Sequence, residues 1–251
     1  MKRSSGDGRL ILAINTSTAP FSVAVVKENG ALLAEILLTP PSKGFGLFMP
    51  SLHHLLLSSG VELKDLKAVA VARGPGSFTG LRLGLATAKG LCHGLEIPAL
   101  AVSSLEALAA QCPVTAFPIC PIINSRRGEV FAALFHTLPG EGMRRIKEEA
   151  CLSLEALRGF VEGRALFVGH DYSRQGASVR EVLGDRAILA PVPLWNLRAS
   201  AVAYVALRKA EKEGFDDLKS LVPCYMRPPD IREPGKKTED SPATVRRGRP
   251  V

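Results

Sequence analysis

LILAINTSTAPFSVAVVKENG, Leu10 to Gly30, decides how the chain is read. An apolar run, Leu10 to Asn15, ends in the polar cluster TSTAP. A second run, Phe21 to Val26, leads into Glu28-Asn29-Gly30, and Ala31 to Leu38 follows. Asn-Gly between two apolar runs marks a tight hairpin, because both residues tolerate positive φ. The stretch therefore predicts a β-meander of three strands. Phe117 to His136 repeats the pattern: FPICPIIN ends in Asn124, SRRG turns, and Glu129 to His136 reads as a strand. One such match is a weak repeat. It gains weight because two tandem β-β-β-α-β-α copies make a bilobal α/β architecture that holds nucleotide between its lobes.

The remaining elements fit that order. FMPSLHHLLLSS, Phe48 to Ser59, places Leu52, Leu55, Leu56 and Ser59 on one helical face, with Pro50 in the first turn and Gly60 as the stop. Lys67 to Ala72 is a strand, roughly Gly80 to His93 a helix, and Ala99 to Val102 a brief strand. Ser103 and Glu106 fit a capping box for a helix ending before Pro113. Ala165 to Val168 is a further strand, and Asn196 is placed to cap a long helix through Glu213. These elements give mixed sheets with helices packed on them. The expected organisation is a flexible start (1–8), a first lobe (9–112), a second lobe (113–228) whose last helix, about 196–214, packs back on the first, and a disordered basic tail (229–251).

Composition narrows the class. The 251 residues are 46% hydrophobic and 22% charged, as in an ordinary globular protein. No apolar run reaches the roughly 18–20 residues of a membrane span. The first apolar run is too short for a signal-peptide core, so the cytoplasm is the expected address. Five cysteines without a C-x-x-C point to buried reduced thiols, not to zinc or a redox motif. The formal charge of +8 is compatible with a polyanion but specifies none. The tail carries Arg246-Arg247-Gly248-Arg249-Pro250, an R-G-R-P core without a basic flank and so a weak nucleic-acid signal.

RGPGSFTGLRLGLATAKG, Arg73 to Gly90, looks like a phosphate cradle and fails both phosphate-loop spacings. It lacks Gly-Lys-Ser/Thr, and Gly74, Gly76 and Gly80 are spaced one residue too long for a dinucleotide fingerprint. Spacing favours a tight strand-to-helix turn with Ser77 or Thr79 as N-cap. Gly80, Gly84, Ala88 and Cys92 recur every fourth residue as a stripe of small side chains. Glycine inside a helix costs about 0.5–1 kcal/mol relative to alanine, so the stripe needs a compensation. Two readings stay open: close packing on the protein's own sheet, or a partner helix. No catalytic constellation emerges. His53 and His54 are adjacent and diverge on a helix, and His170-Asp171-Tyr172 reads as a satisfied loop. The strand ends carry Asn15, with Thr16 beside it, and Asn124. Neutral amides are poor ligands for a hard cation, so these are weak nucleotide candidates. No metal and no cofactor are expected.

RGPGSFTGLRLGLATAKGL resembles the signature of the TsaB (YeaZ) family, as do LAINTSTAPFSVAV, NSRRGEVFAA (Asn124 to Ala133) and VPCYMRPPD (Val222 to Asp230). The resemblance covers about residues 9 to 230. It implies the actin/Hsp70/sugar-kinase fold with two tandem lobes. It also implies a part in making N6-threonylcarbamoyladenosine at position 37 of tRNAs that read ANN codons. Family members are non-catalytic scaffolds: they pair with the catalytic TsaD, the ATPase TsaE docks on that pair, tRNA is met through the complex, and alone they form homodimers. The signature loop would be Arg73, Gly74, Pro75, Gly76, Ser77, Phe78, Thr79, Gly80 and Arg82. The interface helices would present Leu52, Leu55, Leu56, Gly80, Gly84, Ala88 and Cys92. Relatives commonly carry Asp at the positions of Asn15 and Asn124, and a Glu-His pair where this chain has Lys43-Gly44-Phe45. An active phosphotransferase of the same fold and a glycoprotease-like metallopeptidase are the alternatives, both disfavoured by the amides and by the missing histidine pair.

Overall fold

The computed structural model describes residues 9–40, 44–138 and 142–226; residues 1–8, Lys43 and the 229–251 tail lie outside them. Two five-stranded sheets of identical connectivity account for the fold. The first is built from β1 (Leu10–Asn15), β2 (Phe21–Lys27), β3 (Leu32–Leu38), β4 (Leu66–Gly74) and β5 (Ala99–Ser103), in the order β3-β2-β1-β4-β5. The second uses β6 (Ile119–Asn124), β7 (Glu129–Leu138), β8 (Gly142–Ser153), β9 (Ala165–Val168) and β10 (Ala187–Leu189), in the order β8-β7-β6-β9-β10. In each, the first three strands pair antiparallel and the last two join in parallel. The repeat legible around Asn15 and Asn124 is thus a repeat of whole lobes. The architecture is a two-lobed α/β fold, each lobe a mixed five-stranded sheet with flanking helices.

Helices separate and cover the sheets. α1 (Phe48–Ser59) and α2 (Phe78–Leu95) pack on one face of the first sheet. α3 (Ser104–Ala110) and α6 (Ala199–Glu213) pack on its other face, and α3 also reaches β6 and β7 of the second sheet. α4 (Leu157–Phe160) and α5 (Tyr172–Leu183) belong to the second lobe. Period-two alternation sorts β1 between two cores. Leu10, Leu12 and Ile14 face the core under α1 and α2, while Ile11 and Ala13 face the larger core between the lobes. Both faces are covered, so β1 is buried throughout and apolar up to Asn15. The inter-lobe face of the first sheet is rich in alanine, with Ala13, Ala24, Ala68, Ala70 and Ala72 meeting Ala199, Ala203 and Ala206 of α6. Short side chains on both sides let the helix lie close to the sheet.

Three details depart from sequence expectation. α2 begins at Phe78, with Ser77 as the N-cap. Asn196 does not cap α6, whose N-cap is Arg198, a residue whose own side chain makes no capping bond. The cap comes from Glu35 on β3: Oε1 accepts from the Ser200 amide and hydroxyl, both at 2.9 Å, and Oε2 lies 2.6 Å from the Arg198 guanidinium. The Glu35 side chain is only 3% exposed, which permits its charge because every contact is satisfied. The strand β8 and helix α5 escape a sequence reading because GMRRIKEEACLS and YSRQGASVREVL are polar along most of their length. The five cysteines are unpaired; burial pushes the Cys92 thiol up to about 11 and Cys112 up to about 12.

Candidate functional site

The β1–β2 turn and the start of α2 interlock. Asn15, Thr16, Ser17 and Thr18 are all buried there. Every polar atom of the Asn15 amide is engaged. Its Oδ1 accepts from the Ser17 amide (3.0 Å) and hydroxyl (2.7 Å), and its Nδ2 donates to Thr18 Oγ1 (3.2 Å) and the Leu197 carbonyl (2.9 Å). The last bond spans 182 residues and ties the first turn to the segment entering α6. A neutral amide suits this place because it alone offers two acceptor and two donor directions at once. Asn15 therefore serves as an internal brace.

The signature loop fits against that turn. Gly74, at φ +120°, closes β4 in a backbone region that side chains rarely adopt, and a Cβ there would lie 2.8 Å from the Cys224 carbonyl. Ser77 N–H donates to the Ser17 carbonyl at 2.7 Å, and Ser77 Oγ accepts from the Gly80 amide at 3.3 Å. Thr16 Oγ1 in turn donates to the Gly80 carbonyl at 2.7 Å. A Cβ at Gly76 would press into the Ser17 backbone, one at Gly80 into the Thr16 carbonyl, and one at Gly84 into Thr16 Oγ1, each closer than 3.0 Å. These glycines exist for close packing, and the amides of Ser77 and Gly80 are already spent within the chain. Pro75 is buried with them, whereas Arg73 and Thr79 are exposed. On the surface above, Arg82 sits 3.9 Å over the Phe78 ring and donates from Nε to Tyr225 Oη at 2.9 Å, and Phe78 stacks on Tyr225.

The small stripe corrects the expected interface. Gly80, Gly84, Ala88 and Cys92 are buried and point at the protein's own sheet, as do Leu52, Leu55 and Leu56 of α1. None of the seven lies on the outer face of its helix. Facing outward are Met49 (51% exposed), His53 and Leu57 (69% exposed), four residues apart along α1. Arg82, Ala86, Gly90 and Gly94 stand on the exposed side of α2. Among the described residues, apart from the helix's own backbone, nothing approaches within 4 Å of the place a Cβ would take at Gly90 or Gly94. The sequence could have shown this second series, which has the same spacing as the first; only its direction was missing.

The second lobe holds the counterpart of Asn15. Asn124 ends β6 in the open, and its Oδ1 accepts from Gln175 Nε2 at 2.9 Å. Gln175, missed by sequence reasoning, is buried and accepts from the amides of His170 and Asp171, both at 2.9 Å. Asp171 caps α5 by accepting from the Arg174 amide at 3.1 Å, and Tyr172 packs edge-on against Trp195. His170-Asp171-Tyr172 thus organises a strand-to-helix turn. Burial holds the His170 pKa below its ordinary value, against the opposing pull of the Asp171 charge. Its folded pKa lies below the unfolded one of about 6.5. The stability it allows is complete above that value and is lost as pH falls toward the folded pKa. Between pH 7 and 5, the melting temperature of the wild type should drop more than that of His170→Gln; equal slopes would contradict the burial. Among the described residues, no three His, Cys, Asp or Glu side chains converge as a metal site, and no helix is long and apolar enough to cross a membrane.

Comparison with known proteins follows the same lines. The family model "TsaD: tRNA N6-adenosine threonylcarbamoyltransferase" matches residues 47–210. The chain is 34% identical over 219 residues to the tRNA threonylcarbamoyladenosine biosynthesis protein TsaB of Bacillus subtilis, covering 86% of this chain and 93% of that protein. It is 39% identical over 125 residues to the Escherichia coli protein of the same name, covering 49% of this chain and 53% of that one. Among solved structures, YeaZ from Pseudomonas aeruginosa superposes with a TM-score of 0.73 at 26% identity, over 86% of this chain and 99% of that one.

Proposed function

The chain belongs to the TsaB (YeaZ) family of tRNA threonylcarbamoyladenosine biosynthesis proteins, and from that premise we propose that it acts there as a non-catalytic scaffold for TsaD. The outward face of α1 and α2 is the contact. One observation carries this reading: Gly90 is a glycine in the interior of a helix, exposed, with none of the described residues packed over it. Such a residue destabilises the isolated helix by about 0.5–1 kcal/mol relative to alanine. A partner helix that approaches closely over Ala86, Gly90 and Gly94 offsets this cost. Met49 and Leu57 add apolar area of the kind that soluble monomers seldom leave open in one place.

The absence of chemistry in this subunit is supported by the fate of the strand-end amides. Asn15 is consumed by structural bonds and Asn124 is held by Gln175. Binding would then favour the active arrangement of TsaD, with TsaE docking on the pair, and the same apolar face would pair two copies when the chain is alone. The test is reconstitution with TsaD, TsaE, tRNA and threonylcarbamoyl adenylate. Modification should require this chain, and Gly90→Arg should abolish co-elution with TsaD while leaving the melting temperature near that of the wild type. Full modification without the chain would reject the scaffold role. Undisturbed pairing by Gly90→Arg would reject the interface.

A further inference from the structure

After α6 the chain returns to the first lobe, where Leu218 to Met226 form a strap along α2. The strap is pinned at several points. Leu221 is buried in the core under α1 and α2, its carbonyl accepts from Lys89 Nζ at 3.3 Å, and the Cys224 amide donates to the Arg73 carbonyl at 2.8 Å. Beyond Cys224, Tyr225 stacks on Phe78 with ring centroids 5.0 Å apart and 29° between the planes. The Arg82 guanidinium lies 3.9 Å from the Phe78 centroid and donates to Tyr225 Oη at 2.9 Å. A stack made only for packing would be buried, yet Phe78 is 37% exposed and Tyr225 40%. The charge around it has one sign. Leu66 to Leu95 and Leu218 to Met226 contain no Asp or Glu, whereas α2 and the strap carry Arg82, Lys89 and Lys219. None of these three cations has a carboxylate partner among the described residues.

We propose that the Phe78–Tyr225 pair and the cations beside it are a direct contact for single-stranded RNA. Bases of any sequence present a π-face that stacks on exposed rings, and their phosphates attract the neighbouring cations. The rings choose between polyanions: an acidic peptide would answer the charge of Arg82, Lys89 and Lys219 but would leave the aromatic surface unused. The platform is also fixed in advance, because the strap that carries Tyr225 is held by backbone bonds and by Leu221. Little ordering is then left to be paid on binding. The inference rests on the family's work on tRNA and deepens it: the chain touches the RNA as well as a protein partner. The two surfaces are separate along α2. Gly90, central to the proposed TsaD contact, lies about 18 Å along the helix axis from Phe78.

Fluorescence anisotropy of a labelled oligouridine of about twelve nucleotides, titrated with the purified full-length chain, tests this. The wild type should bind, and Phe78→Leu and Tyr225→Leu, which keep apolar bulk but remove a ring, should each weaken binding at least about fivefold. Tyr225→Phe keeps the ring and loses the hydroxyl bond to Arg82, so it should stay within about twofold of the wild type. Arg82→Gln should flatten the dependence of log affinity on log salt by about 0.7. Arg127→Ala, an exposed cation of the β6–β7 turn, should change affinity less than the ring variants do. No binding, or binding that survives both leucine variants, would overturn the contact. So would a loss in Tyr225→Phe as large as in Tyr225→Leu, which would mark the cluster as a tie between strap and helix. Poly-L-glutamate that binds with the same sensitivity to both leucine variants would show an acidic protein site instead. The assay omits TsaD, so its failure leaves the scaffold reading standing, and failure of the scaffold reading leaves this result standing.

Discussion

Gly80→Ala should destabilise the protein by about 3–5 kcal/mol, in the range reserved for severe overpacking. The new methyl group would meet the Thr16 carbonyl and the Phe45 ring, and the carbonyl belongs to a buried turn that cannot retreat. Moving α2 outward would break the Thr16 hydroxyl bond to the Gly80 carbonyl and the Ser17 carbonyl bond to the Ser77 amide together. Gly90→Ala, ten residues on in the same helix, should have the opposite sign and stabilise the isolated chain by about 0.5–1 kcal/mol. Urea midpoints of the two variants decide the matter. If both substitutions behave alike, the buried and exposed faces of α2 have been assigned wrongly.

Asn15→Asp should cost about 3 kcal/mol at neutral pH, although it changes one atom. The Nδ2 that donates to the Leu197 carbonyl at 2.9 Å would become an oxygen facing an oxygen, in a place without exposure to water. Burial and that carbonyl both disfavour the carboxylate, so the folded pKa of the new group would rise above its unfolded value of about 3.9. A raised carboxyl pKa means that the loss is full above the folded value and disappears below pH of about 4. The gap in urea midpoint between Asn15→Asp and wild type should therefore narrow on acidification. A gap that is absent at pH 7, or constant down to pH 4.5, would show that Asn15 is not the brace described above.

Much of the fold was legible because its signals are local. Asn29-Gly30, the apolar runs around it and the matching run before Asn124 depend only on neighbouring residues, and they gave β1, β2, β3, β6 and β7 to within two residues at each end. The cap of α6 was not legible, since Glu35 acts across 165 residues of sequence on Ser200. Neither was Gln175, which looks like any helix glutamine until β6 and β9 bring Asn124 and the His170 turn around it. β8 was missed because its charged outer face masks the alternation that pairing with β7 exploits.

The sequence by itself determined that α2 carries small residues at two sets of positions, because spacing is a property of the chain. Which set turns inward was decided by the tertiary structure alone. Thr16 and Ser17 occupy the space that side chains at Gly76, Gly80 and Gly84 would need, so that series is used up inside the protein. Gly90 and Gly94 are left facing out, with none of the described residues reaching them. A periodic pattern fixes angles around a helix axis but not the rotation of that axis toward a core, and contacts distant in sequence set that rotation.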